Sequence, residues 1–227
     1  MRTLIVIPTL AEFDAFTASQ RGRSTFVERS TNPIRMVDLD SPPITVALGG
    51  LGKVAFGVCS QYLLNLGGWS CLICLGTGGG LKSSLRHGDV VVCTETIEHD
   101  IRKAGRPMLP RYPADAGLLE MCRTVLSERR LPFGVHFGPI ASGDEDVVEE
   151  NTRAELVARS GALAVAWEGA GAGFACRFSN VPFLEIRGIG DSADANAPGD
   201  FKRTLPMVIS NAATVAIELA SALHATR

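Results

Sequence analysis

The 227-residue sequence lacks a strong excess of charge of either sign. Its 22 lysines and arginines stand against 24 acidic residues, so the formal net charge is -2. Proteins that bind the phosphate backbone of nucleic acids usually present a broad basic surface. The charge balance therefore argues against nucleic acid as a partner.

Long uninterrupted apolar runs are also missing, and no segment reads as the span of roughly 20 residues that a transmembrane helix needs. The N-terminal MRTLIVIPTL is short and is soon followed by Glu12 and Asp14, which is unlike a secretory signal peptide. We therefore expect a cytoplasmic protein with no membrane partner.

The six cysteines do not form a metal-binding pattern. Cys71 and Cys74 form a C-x-x-C within the strand-like run SCLICLG, without the second pair or nearby histidines that would complete a zinc site. We interpret the cysteines as core residues, since free cysteine behaves as a small hydrophobe. No metal or cofactor is expected.

Linkers, repeats and low-complexity tracts are absent as well, which predicts one domain over residues 1–227. Short apolar runs predict strands at residues 3–9, 44–50, 71–76, 89–95, 133–143, 162–167 and 181–189. Helix-period segments cover residues 10–20, 53–66, 114–129, 151–160, 169–178 and 201–224. This alternation predicts an α/β fold, a three-layer αβα sandwich around a mixed, largely parallel sheet. Asn-Pro and Pro-Pro break the segment 26–48, which predicts an antiparallel insertion.

Two glycine-rich segments follow predicted strands, at the sheet edge where such folds bind ligands. The glycines of GTGGG (76–80) allow close backbone approach, and its N–H groups and the Thr77 hydroxyl suit a sugar. The segment lacks the spacing and lysine of a triphosphate-binding loop. A tight turn without a ligand explains it equally well, and GGLGK (49–53) leaves the same two alternatives open.

Two carboxylates in VAWEGAGAGFACRFSNVPFLEIRGIGDSAD (165–194) are stronger candidates. Glu168 precedes a helix so rich in glycine and alanine that it must pack closely, and the helix start would stabilise its charge. Asp191 follows an apolar strand, where partial desolvation raises the pKa of an acid and suits it to proton donation. Either residue alone is also explained as a helix cap. His99 and Asp100 are adjacent on an extended segment and point to opposite sides, which favours a structural or interface role.

Six segments in order resemble the nucleoside phosphorylase and nucleosidase superfamily, and most closely its methylthioadenosine/S-adenosylhomocysteine nucleosidases. They are GLGKV (50–54), GTGGGL (76–81), GDVVV followed by HD (88–100), ASGD (141–144), AWEGAG (166–171) and VPFLEIRGIGDSAD (181–194). The resemblance implies a nucleoside phosphorylase-like fold and hydrolysis of the N-glycosidic bond of a purine nucleoside. It also implies a homodimer, in which the loop 99–111 helps to close the partner's pocket at the 5′ end of the substrate.

The resemblance implies a role for three carboxylates. Asp191 would protonate N7 of the purine, Glu168 would hold the ribose hydroxyls, and Glu12 would take a proton from the attacking water. The substrate contacts that it implies, beside Glu168, are Trp167, Thr77, Gly78, Leu51, Asp146 and Val147.

The sequence departs from this family around the base and the sugar. Asp146 stands where an aromatic residue usually stacks on the base, WEGAG replaces MEGAA, and RGIGD replaces RAISD. A phosphorylase would need arginines for phosphate, whereas the chain has Glu12 in the first loop and Cys74 where hexameric phosphorylases place an arginine. Water is therefore the expected nucleophile. The alternatives are a phosphorylase, a futalosine-type hydrolase, and a nucleoside-binding protein without catalysis.

Overall fold

The computed structural model describes residues 1–22, 25–31 and 34–225. Its helices are α1 (Leu10–Ser19), α2 (Lys53–Asn65), α3 (Ala116–Ser127), α4 (Glu150–Ser160), α5 (Gly169–Ser179) and α6 (Ala197–Ala225). Its strands are β1 (Arg2–Ile7), β2 (Phe26–Thr31), β3 (Ile34–Leu39), β4 (Ile44–Leu48), β5 (Trp69–Gly80), β6 (Val90–Glu98), β7 (Arg102–Lys103), β8 (Arg106–Pro107), β9 (Arg111–Pro113), β10 (Val135–Ser142), β11 (Ala164–Ala166) and β12 (Phe183–Asp191). The predicted helices and strands are thus present, with ends shifted by a few residues.

The strands form a mixed sheet in the order β11-β10-β6-β12-β5-β1-β4-β3-β2, with β9 added to β6. Parallel pairing joins β4, β1, β5 and β12, and also joins β6, β10 and β11. Because β11 also pairs antiparallel with β5 and β12 pairs antiparallel with β6, the strands β5, β12, β6, β10 and β11 close into a ring. This closure brings the ends of β5, β11 and β12 together.

Helices cover both sides of the sheet, because each side carries its own apolar cluster. One cluster contains buried residues of α1, α3 and α6, and a second contains buried residues of α2 and α5. The predicted three-layer α/β architecture is confirmed. The antiparallel insertion is also observed, as β2, β3 and β4 pair antiparallel in sequence order. Its Asn-Pro pair, residues 32 and 33, lies outside the described residues.

Helix α6 has the length and apolarity of a membrane-spanning helix, which the sequence did not lead us to expect. The core helix of a soluble protein meets the same criteria. In this fold α6 packs on β12 and β5 and on α1 and α3. One side of the helix lies in the core, with Val208, Ala212 and Leu219 buried there.

The glycine-rich segment 76–80 is not a turn, which corrects one of its two sequence interpretations. It is the last part of β5, paired with β12 on one side and β11 on the other. A Cβ on Gly78 would lie 3.0 Å from a backbone carbonyl oxygen of β11. The glycines therefore let three strands approach one another where the sheet closes.

Close packing of α5, predicted from its small residues, is confirmed. A Cβ on Gly171 would collide with the carbonyl oxygen of Lys53, at the start of α2, and Gly57 of α2 lies against Gly171. The contact sets the start of α5, and with it Glu168, beside the start of α2.

Candidate active site

A cavity of about 440 Å³ lies at the carboxyl ends of β1, β5, β11 and β12. Ligands bind at this edge in open α/β sheets. All nine site residues predicted from the sequence line the cavity: Glu12, Leu51, Thr77, Gly78, Asp146, Val147, Trp167, Glu168 and Asp191. Among the described residues, no group of three His, Cys, Asp or Glu side chains could hold a metal ion.

Glu12 is fixed by four hydrogen bonds from two threonines. Thr9 caps α1, and its N–H and hydroxyl donate to Glu12 Oε2 at 3.1 and 2.7 Å. The N–H and hydroxyl of Thr77 on β5 donate to Glu12 Oε1, both at 2.8 Å. Since an ionised carboxylate is an acceptor at both oxygens, this arrangement suits a charged Glu12. The side chain is 3% exposed and still lines the cavity.

Glu168 occupies the N-cap position of α5 but makes no side-chain hydrogen bond to that helix. Its Oε1 accepts from Gly52 N–H at 3.3 Å, and its Oε2 pairs with Arg187 Nη2 at 3.1 Å. Burial raises the pKa of Glu168, with Arg187 acting in the opposite direction. The sequence predicted that the helix start would stabilise the charge of Glu168, but desolvation has the larger effect and the pKa is raised.

Asp191 ends β12 and lies beside Gly79 of β5. Its Oδ1 accepts the N–H of Ala193 at 2.8 Å, which closes a local turn ahead of α6 and does not cap that helix. Burial raises the pKa of Asp191, while the hydrogen bond from Ala193 opposes the rise. The raised pKa expected from the sequence is thus confirmed, and it favours the protonated acid that a proton donor requires.

Arg187 is a buried charged lining residue that the sequence interpretation missed. Arg187 on β12 is 1% exposed, and its Nε donates to Glu185 Oε1 at 2.8 Å. Its Nη1 donates to Thr77 O at 3.2 Å, and its Nη2 donates to Cys74 Sγ at 3.2 Å besides pairing with Glu168. The sequence did contain a signal for this residue: Glu185 and Arg187 carry opposite charges at alternate positions of an otherwise apolar strand, which indicates a buried ion pair.

The outer part of the cavity is more open and carries Asp146, expected near the base, Trp167, expected near the sugar, and Leu51. Asp146 is exposed on the loop after β10, Trp167 is half-buried, and Leu51 is 58% exposed. Phe201 and Lys202 of α6 also line the cavity, and neither was predicted. Their helix follows Asp191 through an irregular segment, so strand-end reasoning did not reach them.

His99 and Asp100 were predicted to have a structural or interface role, and their contacts within the chain support the structural alternative. Asp100 accepts a hydrogen bond from Lys53 Nζ and another from Asp144 N–H, at 2.9 Å. The His99 ring packs on Gly143, where a Cβ would lie 2.5 Å from His99 Nε2. Together they hold the loop that leads to Asp146.

Comparison with known proteins identifies the family of this chain. A family model of the phosphorylase superfamily matches residues 2–223. A 5′-methylthioadenosine/S-adenosylhomocysteine nucleosidase from an Exiguobacterium species is 30% identical over 197 residues, covering 82% of this chain and 83% of that protein.

Solved structures of similar proteins share the fold. The nucleosidase of the same name from Neisseria meningitidis, solved with methylthio-immucillin-A, superposes with a TM-score of 0.85 at 27% identity, over 97% of this chain and 99% of that one. A futalosine hydrolase from Helicobacter pylori, 22% identical, superposes with a TM-score of 0.86 over 96% of this chain and 97% of that one. The chain therefore belongs to the phosphorylase superfamily.

Proposed function

We propose that the protein is a purine nucleosidase, which hydrolyses the N-glycosidic bond of methylthioadenosine, S-adenosylhomocysteine or a related nucleoside and releases the free base. The observation that carries the proposal is that Glu12, Glu168 and Asp191 line one cavity. Glu168 pairs with Arg187, whereas burial raises the pKa of Asp191 and no ion pair is observed for Asp191 among the described residues. Relatives named as nucleosidases of these two compounds support the substrate class.

The chemistry assigns a different task to each carboxylate. Breaking the bond between C1′ and N9 leaves positive charge on the sugar and negative charge on the base. Asp191 donates a proton to N7 of the base, and Glu168 holds the ribose hydroxyls and faces the developing cation. Glu12 takes a proton from the water whose oxygen bonds to C1′. The products are the free base and the free sugar.

The burial and the acidic partners of Arg187 favour water over phosphate as the nucleophile. A phosphorylase holds a phosphate dianion, commonly with arginine forks. Arg187 lines the cavity, but it is buried and its donors are directed at Glu185, Thr77 and Glu168 among others. Two acidic partners leave this guanidinium poorly suited to a second anion.

The direct test is release of free base from a panel of purine nucleosides, measured with and without inorganic phosphate. The panel includes methylthioadenosine, S-adenosylhomocysteine, adenosine, inosine and 6-amino-6-deoxyfutalosine. Base release in phosphate-free buffer, together with a free sugar product, supports the proposal. Release that requires phosphate and yields a sugar 1-phosphate would identify a phosphorylase, and ligand binding without turnover would identify a binding protein.

We also propose that two copies form a homodimer through the outer surface of α2 and α5. This apolar face consists of Leu51, Val54, Val58, Tyr62, Phe174 and Phe178, each at least 41% exposed. Leu51 also lines the cavity, so the apolar face is continuous with the cavity. A partner on this face could bring its loop 99–111, with the exposed Met108, to the 5′ end of the substrate. Exposed apolar surface of this kind marks interaction sites.

Replacing Val58 by aspartate tests the dimer, because a buried unpaired charge at an interface is costly. Light scattering should show a dimer for the wild type and a monomer for Val58→Asp, with reduced activity. Val27→Asp, at a residue that is 51% exposed on β2, is the matched control and should remain dimeric. A wild-type protein that is monomeric and fully active would contradict the proposal.

A further inference from the structure

Glu185 is a buried carboxylate that does not line the cavity. It lies two residues before Arg187 on β12, so both side chains project from the same face of the strand. Its exposure is 0%, and a Cβ on Gly169, at the start of α5, would collide with its carboxylate. A charged side chain in such a place is costly unless it is paired.

Both oxygens of Glu185 accept hydrogen bonds. Arg187 Nε donates to Oε1 at 2.8 Å, and the Thr96 hydroxyl donates to Oε2. An ionised carboxylate is an acceptor at both oxygens, whereas a protonated acid would need an acceptor for its own hydrogen. The two donors therefore favour a negative charge on Glu185, fixed against the Nε edge of Arg187.

The same guanidinium also pairs with Glu168, through Nη2 at 3.1 Å. Glu12 lies near the same guanidinium, since a Cβ on Gly76 would lie 2.6 Å from Arg187 Nη1 and 3.1 Å from Glu12 Oε1. Without Glu185, the positive charge of Arg187 would be offset only by the two carboxylates that line the cavity, and their field at the sugar would be weaker. With Glu185 present, a carboxylate outside the cavity balances that positive charge. Glu168 lines the cavity, whereas Glu185 does not.

We propose that Glu185 is a positioning residue that neutralises Arg187, so that Glu168 retains its effect on the positive charge that develops on the sugar. The inference rests on the proposed nucleosidase function. It assigns to Glu185 no contact with substrate, and it predicts a selective effect on cationic ligands.

The test is the variant Glu185→Gln, which keeps the shape and removes the charge. Its amide oxygen can accept from Arg187, and its amide N–H can donate to the Thr96 hydroxyl. Binding is measured by calorimetry for two non-hydrolysable analogues of the same nucleoside, one with a cationic iminosugar ring and one with a neutral carbocyclic ring. We expect affinity for the cationic analogue to fall by about 10- to 100-fold, the range for one buried unit charge at an effective dielectric constant of about 20. Affinity for the neutral analogue should change by less than about 3-fold, since an uncharged ring has little interaction with a single charge.

Two further variants separate charge from structure. Glu185→Asp keeps the charge and should retain most of the preference for the cation. Glu218→Gln, in a surface pair with Arg129, is the matched control and should bind both analogues as the wild type does. If Glu185→Gln does not fold, Thr96→Val takes its place, because it removes a hydrogen bond to the charged group and should cause a smaller selective loss, about 3- to 10-fold.

The outcomes distinguish this inference from the proposed function. Equal losses for both analogues, or no loss for either, would overturn the role of Glu185 while leaving the nucleosidase proposal intact. A wild-type protein that binds neither analogue and releases no base from any nucleoside would overturn the proposed function itself.

Discussion

Replacing Asp191 with asparagine should abolish most of the turnover while leaving the fold in place. The amide oxygen can still accept the N–H of Ala193, which Asp191 Oδ1 accepts at 2.8 Å, and the side-chain volume next to Gly79 is unchanged. The amide cannot deliver a proton to the base. A positioned general acid contributes about 10²–10⁴-fold, equivalent to about 3–5 kcal/mol of transition-state stabilisation.

The raised pKa of Asp191 fixes the sign of the accompanying change in stability. Between the ordinary aspartate pKa and the raised pKa of the folded state, the unfolded chain releases this proton and the folded protein keeps it. The wild type therefore loses stability as pH rises through that interval. The asparagine side chain has no proton to lose, so Asp191→Asn should melt no lower than the wild type at pH 7, and its relative advantage should shrink in acid.

The assay follows initial rates of base release in parallel with melting temperature between pH 4 and 9. Wild-type kcat/KM should fall as pH rises through the folded pKa of Asp191, since the protonated form is the active one. Asp40→Asn, at an exposed residue outside the cavity, is the control and should keep near-normal activity. A kcat for Asp191→Asn close to that of the wild type would refute the acid role. A large drop in melting temperature together with activity would show that Asp191 is structural.

Three other variants test separate parts of the structure. Glu12→Gln should stop hydrolysis but retain binding of a nucleoside by calorimetry, whereas the exposed Asp14→Asn on the same helix should remain active; loss of binding by Glu12→Gln would mean a structural role. Gly171→Ala should lower stability by about 1–3 kcal/mol in thermal melts, since its Cβ would collide with a backbone oxygen of α2. Gly199→Ala, with open space around it, should not lower stability. Asp146→Phe should raise activity on methylthioadenosine by adding a ring that stacks on the base. If the wild type already prefers methylthioadenosine and the variant shows no gain, Asp146 is a surface residue without a role in substrate choice.

The layered fold and the cavity could be predicted from the sequence because their signals are local. Apolar runs that alternate with helix-period segments predicted the strands and helices, and the residues that follow those runs predicted where Glu12, Glu168 and Asp191 meet. These residues come from distant parts of the chain, yet one rule, ligand binding at the carboxyl ends of parallel strands, places them on the same edge.

The parts that could not be predicted depend on pairings between distant segments. The segment 76–80 reads as a loop because glycine is poor in strands, and only the double pairing of β5 with β12 and β11 makes it a strand. Similarly, burial of Glu168 beside Arg187 decides its pKa, and no local pattern reveals that burial. Phe201 reaches the cavity through the path of the chain after Asp191, which the sequence does not specify.

The floor and the rim of the cavity differ in how strongly the fold constrains them. On the floor, glycines face the functional side chains: a Cβ on Gly76 would lie 2.6 Å from Arg187 Nη1, and a Cβ on Gly79 would lie 2.8 Å from Asp191 Oδ1. Any larger residue at these positions would displace a charged group, so the close packing of the backbone fixes the positions of Arg187 and Asp191. The rim residues Leu51 and Asp146 are exposed, and a substitution there disturbs little of the core. If the three carboxylates act as proposed, substitutions at the rim can therefore alter the preference among nucleosides without displacing the groups that carry the reaction.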